Sequence, residues 1–145
     1  MRILSGAVIL AVGLGAGIAA QAPATVTVEQ HEAAMKGIQT AVGAMNKNLK
    51  GGMLTEAAAN AEELGKLFAQ VEQFWTRNKK DDAIKLAVQA KTAADEVAKA
   101  ARGGDAAAAT AAAPNLQQTC KQCHSAYREG TAQEGFRLRA DAGVN

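Results

Sequence analysis

VEQHEAAMKGIQTAVGAMNKNLKGG, residues 28–52, decides the fold class. Val28, His31, Met35, Ile38, Val42, Met45 and Leu49 recur at alternating spacings of three and four, which sets them along one stripe of an amphipathic helix. Gly51-Gly52 ends that helix. A second stripe follows in Ala57, Ala61, Leu64, Phe68, Val71 and Trp75, with Thr55 placed as its cap and Glu56 in the favourable first turn. Arg77-Asn78-Lys79-Lys80 interrupts the pattern. Asp81 or Asp82 is placed to cap a third helix carrying Ile84, Leu86, Val88, Val97 and a bed of alanines, stopped by Gly103-Gly104. Asp105 caps a fourth, whose stripe is Ala109, Ala113, Leu116, Cys120, Cys123 and Tyr127. Pro114 lies inside it, removes one backbone donor, and predicts a kink or split near Ala113.

Helices of this length joined by loops of a few residues must alternate in direction, because so short a loop cannot return the chain along a bundle. The expected fold is all-α, an antiparallel up-down four-helix bundle. Composition agrees: 35 of the 145 residues are Ala and only two are Pro, which favours helix locally and disfavours sheet architectures. The net charge of +2 is small and dispersed, so a nucleic-acid partner is not expected. Ala buries little area, and with three Phe, one Tyr and one Trp the chain is short of bulky apolar side chains, which leaves room for a further group in the core.

Met1-Arg2 followed by the apolar run Ile3 to Ala20 reads as a secretory signal peptide. The expected organisation is a signal over 1–20, a helical domain over 21–130 and a partly disordered tail over 131–145. An uncleaved anchor is the rival, since the run just reaches the length of a span; its glycines and small-residue end favour cleavage, so no membrane span is expected in the mature form.

Cys120-Lys121-Gln122-Cys123-His124 uses both cysteines and one of the two histidines. C-x-x-C-H is the pattern of c-type haem attachment. Residues three apart share a helix face, so Cys120 and Cys123 can both form thioethers with the haem vinyl groups while His124 offers its imidazole to the iron. Three other readings fit less well. A thioredoxin-type dithiol needs a preceding strand. A Cys120–Cys123 disulfide closes too small a loop to stabilise much. A zinc site would have to recruit His31 from a distant helix.

With the signal, the four-helix pattern and the run Cys120-Lys121-Gln122-Cys123-His124-Ser125-Ala126-Tyr127-Arg128 near the C-terminus, the chain resembles the class II c-type cytochromes, the family of cytochrome c′. The resemblance implies one covalent haem c inside the bundle, its distal face covered by the first helix. Low-spin members of that family place a methionine over the iron, and Met35-Lys36 falls at the corresponding place, so Met35 is the implied distal ligand. His31, one turn earlier on the same face, is the alternative ligand; its other role is a side chain facing the haem propionates. The chain departs from the family in having His31 where an Arg is usual, and in lacking a Pro-rich loop between the second and third helices. Trp75 is either a core residue or a ring stacked near the haem edge, and Arg128 follows the family's Tyr-Arg pair.

Met/His ligation implies single-electron transfer in the periplasm, with no enzymatic activity. The alternative is a five-coordinate protein that binds nitric oxide or carbon monoxide. The expected partners are redox proteins and, as a homodimer, a second copy of the chain.

Overall fold

A computed structural model describes residues 26–144. Four long helices fill most of it: α1 (Val28–Lys50), α2 (Leu54–Arg77), α3 (Asp81–Arg102) and α4 (Ala106–Tyr127). They pack as the expected up-down bundle. The signal-peptide reading of residues 1–20 lies outside the described residues, and among those described no helix is long and apolar enough to cross a membrane.

Local chemistry explains the helix ends. Thr27 caps α1 in a reciprocal box with Gln30: the Thr27 hydroxyl accepts from the Gln30 amide at 3.2 Å while the Thr27 amide donates to Gln30 Oε1 at 2.8 Å. Asp105 caps α4 as the sequence indicates, its carboxylate accepting from the Ala108 amide at 2.8 Å. Two other caps differ from expectation. The turn through Gly52, at φ +70°, lets α2 begin at Leu54, so Thr55 is already helical and Met53 holds the cap position without a side-chain bond. Likewise α3 begins at Asp81 after Lys80, which puts Asp81 and Asp82 in its first turn, where their charges face the positive end of the helix dipole. Pro114 does not split α4, which runs continuously to Tyr127. The amide that proline lacks would have served Thr110; both residues are exposed, which leaves the Thr110 carbonyl open to solvent.

The core is an alanine bed around a few large side chains. Trp75, Phe74, Met45, Leu64, Leu116 and Val97 are the largest fully buried residues. Every residue of the expected α2 stripe is buried. In α1 the inward line is His31, Ala34, Ile38, Ala41, Met45 and Leu49, with Met35 and Val42 only half-buried beside it. In α3 three of the four expected bulky residues are displaced from the centre: Ala83, Ala87, Ala90, Ala93 and Ala94 face inward with Val97, Ile84 and Leu86 are half-buried, and Val88 is exposed. Small side chains allow close helix approach, so α3 packs tightly on both α2 and α4. α2 packs on α1 as well, whereas α1 and α4 make little direct contact.

Beyond α4 the chain folds back. Strands β1 (Arg128–Glu129) and β2 (Arg137–Leu138) form a two-residue antiparallel ladder, followed by a 3-10 turn over Ala140–Ala142. The Arg139 amide donates to the Tyr127 carbonyl at 3.0 Å, and Ala142 is buried. This is the stretch expected to be partly disordered.

Candidate haem-binding site

The up-down order brings the start of α1, the end of α2, the start of α3 and the end of α4 to one end of the bundle. Cys120, Cys123, His124 and Tyr127 follow one another along the last two turns of α4, all half-buried. Both cysteines are free thiols. Burial raises the pKa of each; Cys123, which also feels Cys120 and Asp82, is pushed to about 11. Burial, followed by the nearby Arg128, lowers the pKa of His124 and favours its neutral form, the one able to ligate a metal.

Facing this helix is an aromatic cluster. The His31 imidazole is buried and stacks on Phe74 with ring centres 4.2 Å apart, and its edge meets Trp75 at 5.5 Å. Trp75 in turn lies 5.0 Å from Phe74 and 4.5 Å from Tyr127. Desolvation and then the neighbouring His124 hold His31 down to about 4, so it is neutral in the folded chain. Two atoms in this cluster, His31 Nδ1 and Trp75 Nε1, are buried without a hydrogen-bond partner. Burying such groups unpaired is costly, and their presence together marks a place where a polar or metal-bearing group fits. Met35, one turn beyond His31, is half-buried against the core.

Several contacts here were not read from the sequence. The Tyr127 hydroxyl donates to Asp82 Oδ1 at 2.6 Å, linking the start of α3 to the end of α4. Arg77 Nη1 donates to the Val26 carbonyl at 3.3 Å and ties the entry of α1 to the exit of α2. The Arg128 guanidinium sits over the Phe136 ring at 4.0 Å. No periodicity signals such contacts, because they join residues far apart in sequence.

The donor set fits a haem. Two thiols three residues apart could supply covalent attachment and the adjacent imidazole an iron ligand, and the neighbouring helices bearing His124 on one side and His31 and Met35 on the other make little direct contact. Residues 72–128 match the cytochrome C′ family model. That match takes in the end of α2, all of α3 and α4, and the whole Cys120 to Arg128 run. It supports a class II c-type cytochrome, a family whose members carry covalent haem c and are typically periplasmic electron carriers or gas binders. α1, with His31 and Met35, lies outside the cytochrome c′ match. No match was found among curated proteins or among solved structures.

Proposed function

We propose that the chain is a periplasmic cytochrome that carries one haem on Cys120 and Cys123 and passes single electrons to and from redox partner proteins. The observation that carries this reading is the placement of the C-x-x-C-H run, half-buried on the last turns of α4, opposite a buried cluster with unpaired polar atoms. A bound haem would supply a reversible one-electron couple at its iron. The chain does the rest. Cys120 and Cys123 would hold the porphyrin, and His124, kept neutral by burial, would offer a ring nitrogen to the iron. Phe74, Trp75 and the alanine bed exclude water, which limits reorganisation when charge changes.

Met35 is proposed as the distal ligand, its thioether reached from α1. A specific observation favours a second reading in which His31 takes that place: its imidazole is buried, neutral and unpartnered at Nδ1. The decisive experiment is the absorption and paramagnetic-resonance spectrum of the exported, oxidised protein beside Met35→Ala and His31→Ala. The expected result is a low-spin signal with a sulfur-to-iron charge-transfer band, lost in Met35→Ala, which then binds carbon monoxide rapidly when reduced. Loss of the low-spin signal only in His31→Ala would assign the ligand to His31. A high-spin wild type that binds carbon monoxide readily would replace electron transfer by gas binding, and two alkylatable thiols with no attached haem would overturn the proposal.

A further inference from the structure

Asp82 and Tyr127 form the shortest polar link between the helix that carries the attachment motif and the rest of the bundle. Tyr127 stands one helical turn beyond Cys123 and His124 on the same face of α4, with one side of its ring against Trp75 and its hydroxyl on Asp82 at 2.6 Å. Asp82 gains little stability from such a bond, since it is exposed and water competes for its charge. Its position is more informative. The bond to Tyr127, one helical turn beyond Cys123 and His124, holds the carboxylate at the end of α4 that carries the attachment motif. Its neighbour Asp81 is equally exposed, and among the described residues no hydrogen bond or ion pair joins its side chain to α4.

We propose that Asp82, held in place by the Tyr127 hydroxyl, is a positioning residue that sets the reduction potential of the haem by placing one fixed negative charge beside its attachment point. The inference rests on the haem-binding reading above. The oxidised iron carries one more positive charge than the reduced iron, so a nearby carboxylate stabilises the oxidised state and lowers the potential. Tyr127 acts through Asp82: its hydrogen bond fixes the direction of the carboxylate and favours the ionised form, which holds Asp82 below the usual carboxylate range. No proton or electron passes through the pair; its effect is electrostatic.

The test is a spectroelectrochemical titration of the exported holoprotein and four variants: Asp82→Asn, Asp81→Asn, Tyr127→Phe and Tyr127→Phe combined with Asp82→Asn. Asp81→Asn removes the same net charge from the adjacent residue and controls for overall charge. Asp82→Asn is expected to raise the midpoint, so that at the wild-type midpoint the reduced form exceeds the oxidised by about two- to threefold, the size of one charge acting through a largely aqueous path. Asp81→Asn is expected to move the ratio much less. Tyr127→Phe should shift it part of the way in the same direction, and the double variant should match Asp82→Asn, because the phenol has no further route to the haem. The visible spectrum should stay that of the wild type throughout, which separates tuning from damage to the ligand set. Equal shifts in Asp82→Asn and Asp81→Asn, or no shift in either, overturn the proposal. If Asp82→Asn does not fold, an unmoved midpoint in Tyr127→Phe overturns it alone. A wild type with no covalent haem defeats the underlying reading too, whereas haem present with an unmoved midpoint defeats only this one.

Discussion

Ala94→Leu tests whether the alanine bed of α3 is close-packed or slack. Ala94 has no exposed surface and lies in the middle of α3, beside Ala90, Ala93 and Val97, which are also buried. α3 there is pressed between α2 and α4. That α2 comes close is seen at Gly65, where a Cβ would stand only 3.0 Å from Asp95 Oδ1. Leucine would add three carbons to a site with no open side, and such overpacking costs about 1–3 kcal/mol. With an unfolding entropy of roughly 2 cal/mol/K per residue over about 120 residues, that cost corresponds to a fall in Tm of roughly 4–12 °C. The assay is thermal and urea unfolding of the holoprotein followed by far-ultraviolet circular dichroism. Ala107→Leu, at an exposed position of α4, is the control and should stay within about 0.5 kcal/mol of wild type. An Ala94→Leu protein as stable as Ala107→Leu would refute the argument, since it would mean that the helices around α3 can absorb extra volume without loss.

Two further outcomes are expected. Gly43 is an exposed helical residue of α1 whose added Cβ would meet nothing within 4 Å, so Gly43→Ala should raise stability by about 0.5–1 kcal/mol in the same unfolding assay. Tyr127 is the single tyrosine, and burial together with the bond to Asp82 raises its phenol from 10.0 to about 12, so phenolate absorbance in an alkaline titration should appear near that value. The folded-state value is the raised one, so the stability this group contributes is complete below pH 10 and is lost as pH climbs through about 12. Asp82→Asn should move the phenolate midpoint back toward 10, and a wild type that already titrates there would show that the bond does not persist in solution.

The fold was legible because helix periodicity depends on near neighbours in sequence. The α2 stripe from Ala57 to Trp75 could be read directly, since Leu64, Phe68, Val71 and Trp75 are large and regularly spaced. α3 was harder for the opposite reason. Its inward face is Ala, which carries almost no hydropathy contrast, so Ile84, Leu86 and Val88 drew attention to a face the bundle leaves half-buried or exposed. The Thr27 box was present in the sequence as Thr27-Val28-Glu29-Gln30, a capping pattern with its glutamine at the third position. Within the site, Cys120, Cys123 and His124 were readable because one helical turn fixes their relation. The His31–Phe74 stack and the Asp82–Tyr127 bond were not, because each depends on how separate helices meet end to end.

The position of α4 in the chain bears on how such a protein matures. Synthesis proceeds from the N-terminus, so α1, α2 and α3 are made before either cysteine. Once α4 has docked, Cys120 and Cys123 are half-covered and the tail behind them is fastened through the Arg139 bond to Tyr127. If a porphyrin is joined to both sulfurs as proposed, they are therefore most open to it before the last helix docks. The joint that would let it stand apart is Gly103-Gly104, with Gly104 at φ +76°. Under the proposed haem reading, a slower docking of the last helix would lengthen the time in which both thiols stand open.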